Sequence, residues 1–556
     1  MAIVYMKKLE EEPDTYDEKF TKLTEGINLD VRERILEIVP DNKKVLEIGC
    51  GPGTLAYQLA LKGNEVLALD KNPEMIELAS NNYMDTEKIN LIYEVNTIED
   101  YKGEPNTYDF IVSTFMLSEL RPLEHQIFLR KAWKLLKHSG KLIIAAEFSP
   151  KGFWKIPFKF KRWRYRKKLG RLKKITNPLK WFTNYIEPIG YEINKIEEWK
   201  KGSIKLLELE KIAKTKIDTP GYYNPPFRKF KGISSQLRIY RCLLTGQMDK
   251  VPIEPGIYIS GNPDKSSPII VTANYEYTYI RVMRDLKDVD AWVLCLDSNG
   301  INVWCAARGN EFGNEQLFEI VKATNIISLS DSKILILPQL SAGGVETRIL
   351  PNPSEDFPYQ VKFGPVWAED LPEYLKNKPT PKPERMRIAQ FNFRHRIKAV
   401  ITHTSFLLRK IFLLPAILII SFLVGLNFFF PIESKYWKVI GEFFLWFLNI
   451  NILILLLFPL TKFTKKFITK AIIFGMVNVA VSGFVTYMIH KSLVITLGSL
   501  PLIFWLGFFC TMSFSGYTME TNPKEIQEEY KSFKIINLPL FIVAIVLVVL
   551  VPILFS

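Results

Sequence analysis

Apolar positions fall in three rhythms along the chain. Near the front, Val45-Leu46-Glu47-Ile48 reads as a short strand running into the glycine-rich turn Gly49-Cys50-Gly51-Pro52-Gly53, and Thr54 to Leu61 then has helical character. Leu67-Ala68-Leu69-Asp70 reads as a second strand with a carboxylate at its C-terminal end. In the middle, apolar runs Ile269–Ala273, Trp292–Leu296 and Ile334–Leu337 alternate with helical stretches Tyr277–Leu286 and Glu315–Thr324. Such alternation predicts a parallel sheet covered by helices, with a ligand site at the C-terminal strand ends. Thr272, Asn274, Asn302, Cys305 and Gln339 all fall after these strand ends. Near the C-terminus come five long apolar segments, around 411–430, 439–460, 471–489, 492–512 and 535–555. Each is close to the roughly 20 residues that cross a bilayer as a helix.

The pattern predicts an α/β chain in three parts. Residues 1–215 carry a Rossmann-like sheet, 216–385 a second α/β unit, and 386–556 a bundle of transmembrane helices. The proline-rich stretch Asp218 to Pro226 marks the first joint. Lys376 to Pro383 reads as an extended linker, and Arg385 to Lys410 as a basic juxtamembrane stretch. Lys and Arg before the first apolar segment and between the second and third place those loops in the cytoplasm, with the N-terminus inside and the C-terminus outside. Charge is nearly absent from the segments, which predicts an anchor rather than a transporter.

Composition narrows the chemistry. A net charge of +15 favours an anionic partner. The run Lys151 to Lys174 concentrates that charge, with Phe153, Trp154, Phe158, Phe160, Trp163 and Tyr165 interleaved and no Asp or Glu. Because the chain has its own membrane segment, an anionic lipid surface is favoured over nucleic acid as the partner of this run. The five cysteines are widely spaced with no CxxC, which argues against a disulfide framework, a zinc site or an iron–sulfur cluster on this chain. No signal-peptide pattern begins the sequence, so the parts outside the membrane are expected in the cytoplasm.

Glycines let a backbone approach a ligand closely, and an acid after the next strand can accept both hydroxyls of a ribose. Cys305 is expected in the first turn of a helix, where a thiol is biased toward thiolate, the metal-ligating form; a buried cysteine that simply packs is the alternative.

The front part resembles the class I S-adenosylmethionine-dependent methyltransferases. Glu47-x-Gly49-x-Gly51-x-Gly53 looks like their first motif and Asp70 like the ribose-binding acid, while Tyr108 to Ser113 and Leu135 to Ile144 match later strands. The resemblance implies bound S-adenosylmethionine with an adenine neighbour near Asn96, although the aspartate usual there is missing. Leu117-Ser118-Glu119-Leu120, where acceptor contacts are usual, holds no evident catalytic base.

Asn302-Val303-Trp304-Cys305-Ala306-Ala307 looks like the cap-helix motif of the mercury-methylation corrinoid protein family, related to the corrinoid iron–sulfur proteins of acetogens. The likeness extends through Pro255 to Tyr258, Val271 to Tyr275, Leu335 to Leu340 and Gly364 to Pro372. It implies a bound cobalamin with Cys305 as the lower axial ligand to cobalt, and with Asn302 and Trp304 shaping the cap helix. Arg308 and Gly309 stand where a glycine and a lysine are usual.

Together these resemblances imply a membrane-anchored corrinoid-dependent methyl transfer, Cys305 being the catalytic ligand, to a terminal acceptor such as Hg(II). The fused methyltransferase is then a methyl donor domain beside a folate-type donor enzyme, and a ferredoxin-like iron–sulfur protein is the implied reductant. The alternative is a membrane-surface methyltransferase of a lipid, quinone or metalloid with a non-catalytic corrinoid-like module; a corrinoid sensor or carrier without turnover is a third reading.

Overall fold

The computed structural model describes residues 15–83, 89–168, 178–212, 233–234, 237–238, 240, 252–308, 311–347, 357–378, 381–389, 392–404, 434–515 and 523–554. The joint at 218–226 and the apolar segment near 411–430 lie outside the described residues.

The front part is a Rossmann-like α/β sheet. Its strands are β1 (Lys44–Ile48), β2 (Glu65–Asp70), β3 (Leu91–Val95), β4 (Tyr108–Thr114), β5 (Leu136–Glu147), β6 (Tyr191–Trp199) and β7 (Ile204–Lys211), in the order β3-β2-β1-β4-β5-β7-β6. β1 to β5 run parallel, and β7 is antiparallel to both β5 and β6. Alternation along each strand builds two cores, one per face. Val45, Ala68, Val112 and Ile143 enter one, and Leu46, Leu69, Ile111 and Ile144 the other. Helices α1 (Tyr16–Thr24), α2 (Ile27–Ile38), α3 (Thr54–Leu61), α4 (Pro73–Asn82), α5 (Pro122–Leu135), α6 (Lys155–Lys168) and α7 (Phe182–Ile189) cover the sheet and its edge.

A second sheet follows, in the order β12-β11-β9-β10-β8: β8 (Gly256–Ser260), β9 (Ile269–Ala273), β10 (Ala291–Leu296), β11 (Ile334–Leu337) and β12 (Gln360–Phe363). Helices α8 (Glu276–Asp285), α9 (Val303–Arg308), α10 (Asn314–Thr324) and α11 (Leu371–Asn377) accompany it. The three expected strands, β9, β10 and β11, run parallel as predicted, and β8, an edge strand outside that reading, joins antiparallel to β10. Its sequence, Gly256-Ile257-Tyr258-Ile259, carries no alternation that distinguishes the two directions.

The two sheets are welded through α5. Leu123 and Ile127 on that helix are buried in the same core as Ile257, Leu294 and Ile320 of the second unit. Arg121, at the head of α5, pairs with Glu315 at 3.0 Å and Glu319 at 3.3 Å on α10. Arg130 Nη2 donates to the Lys322 carbonyl at 2.6 Å, and Lys322 pairs with Glu99.

The expected linker at Lys376 to Pro383 is not a free spacer. α11 occupies its start, and Lys382 Nζ donates to the Phe363 and Gly364 carbonyls at 2.7 and 2.8 Å. Proline and lysine content predicted extension; three acceptors converging on one ammonium override it.

At the C-terminal end stand α12 (Phe393–Thr404), α13 (Ser434–Leu457), α14 (Phe467–His490), α15 (Leu493–Phe514) and α16 (Pro523–Leu554). Among the described residues, four helices are long and apolar enough to cross a membrane, not the five expected: Gly441–Thr461, Phe467–His490, Leu493–Phe514 and Glu528–Val548. α14 and α15 cross at Gly475 and Gly507, where a Cβ on Gly507 would lie 2.9 Å from the Gly475 Cα. Charge in the apolar segments is sparse, as expected, and the few polar and ionisable groups lie near the helix ends or on the seams. Glu442 Oε1 lies 2.6 Å from His490 Nε2, and Lys470 is buried with its ammonium 4.5 Å from the Phe458 ring centroid. Trp446 donates to Thr486 and Asn449 to Ser482 on the same α13–α14 seam, so polar pairs lock these helices in register.

Candidate functional site

At the C-terminal end of β1 the glycine turn bends back on itself. Gly49, Gly51 and Gly53 all have positive φ, at 75°, 53° and 78°. Gly49 and Gly53 are also crowded: a Cβ would fall 2.7 Å from the Met116 Cβ and 2.6 Å from the Tyr93 hydroxyl respectively. Asp70, at the end of β2, accepts from Gly51 N and Asn72 N at 2.9 Å each, so it fixes the turn. Asn96 donates its backbone N–H to the Asp70 carbonyl at 3.0 Å. Its side chain is taken up locally by Glu94 and Thr97.

A recess lies beside this turn, lined by Glu47, Gly49, Cys50, Gly51, Thr114 and Phe115 together with residues of α1 and α2. Gly53, Asp70 and Asn96 brace the turn and are not on the recess wall. Glu47 is buried, its Oε2 has no hydrogen-bond partner, and burial pushes its pKa up to about 8 against the opposing pull of Arg32. A buried carboxylate with a vacant acceptor suits a cationic amine, which would restore the charge that burial disfavours.

The lid over this recess was not legible in the motifs. Tyr16, Asp17 and Phe20 of α1, with Asn28 and Arg32 of α2, close it on one side. Asp17 Oδ2 accepts from Thr54 Oγ1 at 2.6 Å, and Phe20 packs edge-on against Phe115, 5.1 Å between centroids. The i, i+4 pair Tyr16 and Phe20 was the available signal, but it says only that a helix buries one face.

In the second sheet, Asn274 follows β9 and is the hub of a loop rather than a surface that faces out. Its Nδ2 donates to the Ile253 carbonyl and Asp297 Oδ1 at 3.1 and 3.0 Å. Its Oδ1 accepts from Ser298 N, Ser298 Oγ and Gly300 N at 2.9 to 3.0 Å. These bonds hold Asp297 to Gly300, the segment that leads into α9. Asn302 then caps α9, its Oδ1 accepting from Cys305 N at 2.9 Å. Cys305 is therefore in the first turn as expected, on a helix of only six residues, and its thiol is half-buried and not in a disulfide. Trp304, beside it, is buried.

α9 packs against the turn Gln339–Ser341 and the end of β9, so the structure brings Cys305's helix, Gln339 and Thr272 into one neighbourhood. Gln339 Oε1 accepts from Lys382. Thr272 lies inside β9 and not after it, opposite Cys295, with its buried Oγ1 lacking a hydrogen-bond partner. The segment is tight at Gly344, where a Cβ would lie 2.8 Å from the Ala307 Cα.

Asp297 joins the two halves electrostatically. Burial raises its pKa, while the Asn299 N–H and the Arg121 guanidinium pull it back down. Arg121 is in turn the residue after the Leu117–Leu120 turn of the first sheet. Glu319 is buried, and burial pushes its pKa up to about 8 despite Arg121. The C-terminal strand edges of both sheets thus meet at one arginine. Sequence reading missed Arg121, since a lone arginine before a proline-started helix has no motif.

Two family profiles match the chain, each over a limited stretch. Residues 45–140 match a methyltransferase domain family, and residues 231–348 match the CO dehydrogenase/acetyl-CoA synthase delta subunit family. Curated relatives include the acetyl-CoA decarbonylase/synthase complex subunit gamma of Methanopyrus kandleri, 31% identical over 141 residues that cover 24% of this chain and 29% of that protein. The same subunit of Methanocaldococcus jannaschii is 32% identical over 108 residues, covering 19% and 22%. The chain thus spans less than a third of the length of these relatives. A SAM-dependent methyltransferase from Methanosarcina mazei is similar in structure with a TM-score of 0.27 and 19% identity, covering 32% of this chain and 97% of that one. One from Mesorhizobium loti gives 0.27 and 16%, covering 33% and 98%. The front of the chain is a class I methyltransferase domain, and the central part is homologous to the gamma and delta subunits named above.

Proposed function

We propose that the chain is a membrane-anchored methyl-transfer protein in which the front domain binds S-adenosylmethionine and the central unit holds a cobalt corrinoid through Cys305. The observation that carries this reading is the weld at α5. One helix contributes Leu123 and Ile127 to the central core while its head, Arg121, links the acceptor-side turn of the first sheet to Glu315, Glu319 and Asp297 of the second. Two methyl-handling edges built independently would not need a common arginine.

The residues suit both groups. Glu47 offers a vacant buried acceptor to the amino group of S-adenosylmethionine, the glycine turn a cradle without Cβ atoms, and Asp70 a carboxylate for ribose. The donor supplies an electrophilic methyl on sulfonium. For the corrinoid, the half-buried Cys305 thiol is a soft donor of the kind cobalt accepts; Asn302 caps its helix, which packs against the turn that begins at Gln339 and against β9, the strand that carries Thr272. A corrinoid supplies a metal centre able to take up and hand on a methyl group. The chain's own part is positional: Asn274 and Asn302 fix the loop and cap that present the thiol, and α5 fixes one edge against the other.

A soft electrophile such as Hg(II) is the proposed terminal acceptor. A ferredoxin-like reductant and a folate-type methyl donor enzyme are the proposed partners. An N-terminus inside and a C-terminus outside are the proposed orientation, drawn from the lysines and arginines that flank the apolar segments. The second reading, a methyltransferase acting on a lipid, quinone or metalloid at the membrane surface, draws on the exposed Phe153 and Trp154 before α6 and Phe160 within it. The two separate in one experiment. S-adenosylmethionine carrying a labelled methyl is incubated with reduced, corrinoid-reconstituted protein in membranes. Label in the corrinoid fraction, lost in Asp70→Ala and in Cys305→Ala, supports the relay. Label in the lipid fraction that survives Cys305→Ala overturns it.

A further inference from the structure

We infer that α6 is a second membrane contact, a docking face for an anionic bilayer surface that is independent of the C-terminal helices. It goes beyond the relay reading and does not rest on it. Phe153 and Trp154 precede the helix; Ile156 and Phe160 follow at the spacing that puts residues on one face. These four are 75%, 47%, 64% and 61% exposed, so the apolar stripe points away from the fold. The inward side is carried by Phe158, which is buried, and by Arg162. A helix seated on one phenyl ring and one paired arginine, with Ile156 and Phe160 turned to solvent, is unusual for a soluble domain and normal for a bilayer interface.

The charge is complementary to one occupant. Lys151, Lys155 and Lys159 flank the stripe and are exposed, and Lys201 extends its ammonium over the Trp154 ring at 5.6 Å. No Asp or Glu occurs between Glu147 and Glu187. Lysines around exposed indole and phenyl rings match a headgroup layer of negative lipids, where each cation near the surface adds about 1 kcal/mol. Four helices of the same chain are long and apolar enough to cross a bilayer.

The docking face is also tied to the active edge. Arg162 Nη1 donates to Glu147 Oε1 at 2.8 Å with both side chains buried, and Glu147 N donates to Ser118 Oγ at 3.0 Å in the acceptor-side turn. Seating α6 on the bilayer would therefore orient the acceptor-side turn of the first sheet relative to the membrane.

The test uses the full chain in nanodiscs and reads backbone hydrogen exchange over residues 153–162. Three samples are compared: phosphatidylcholine discs, discs with about 30% phosphatidylserine, and phosphatidylcholine discs with single-stranded RNA added. The expected result is exchange slowed about fivefold or more in the anionic discs alone, reversed by salt and absent in Lys151→Gln/Lys155→Gln/Lys159→Gln. A second variant, Phe153→Ser/Phe160→Ser, should lose the slowing while S-adenosylmethionine still binds, which shows that the domain is folded. Equal exchange in both kinds of disc overturns the inference, as does slowing that appears only with RNA.

Discussion

The two loops after strand ends are stabilised in opposite ways. In the first sheet the turn from Gly49 to Gly53 is braced from outside by Asp70, and the carboxylate nearest its recess, Glu47, keeps a vacant oxygen. In the second sheet Asn274 makes five hydrogen bonds, four to Asp297, Ser298 and Gly300 of the loop and one to the Ile253 carbonyl. One loop leaves a polar group under strain for a ligand to relieve. The other is finished before any ligand arrives and offers Cys305 on a short capped helix. Affinity in the first should therefore depend on charge, and in the second on one thiol held in place.

The comparison breaks most sharply at Asn274. Asn274→Ala strands the Ser298 and Gly300 N–H groups in the interior, and a loss of about 3 to 4 kcal/mol of stability is expected in thermal or urea melts. Asn274→Asp should recover part of it, because the accepting oxygen returns.

Glu47 gives a loss of binding with a gain of stability. Its pKa of about 8 means the folded state holds a proton that the unfolded chain releases near 4.5, so native stability falls as pH rises between those values. Glu47→Gln has no such proton. Its advantage over the wild type should be near zero at pH 4.5 and grow to about 2 to 4 kcal/mol by pH 8, since each unit is about 1.4 kcal/mol. Calorimetric titration should show S-adenosylmethionine binding weakened about tenfold or more in the same variant.

Gly53→Ala adds a Cβ at positive φ within 2.7 Å of Ala79 and Tyr93. A cost of about 2 to 3 kcal/mol is expected. Gly51→Ala has positive φ but its nearest neighbour is 3.9 Å away, so about 1 kcal/mol suffices there. Smallest is Ser298→Ala, which removes one hydroxyl shared by Asn274 and the Ile301 carbonyl, for about 1 kcal/mol.

Much of this was legible in the chain. β9 and β11 occupy the same residues as the apolar runs that foretold them, because central parallel strands are buried on both faces and need continuous apolar sequence. The glycine turn showed itself since three positive-φ positions within five residues favour glycine. What stayed hidden depends on pairing at a distance. Edge strand β8 could have run either way, and Lys382 read as linker until three acceptors surrounded it. Arg121 and the lid from α1 gain meaning only when remote elements meet. Asn274 was legible as important and misread in direction, since a buried asparagine after a strand can serve a ligand or its own loop. The hydrogen-bonded pair Glu442–His490 escaped notice because its halves lie on different helices.

The most direct test of the account is the visible spectrum of the purified protein after corrinoid reconstitution, wild type against Cys305→Ala. Bound corrinoid is expected in the wild type, with bands that move in Cys305→Ala because the sulfur ligand is gone. A spectrum identical in the two proteins, or no corrinoid retained by either, would contradict it.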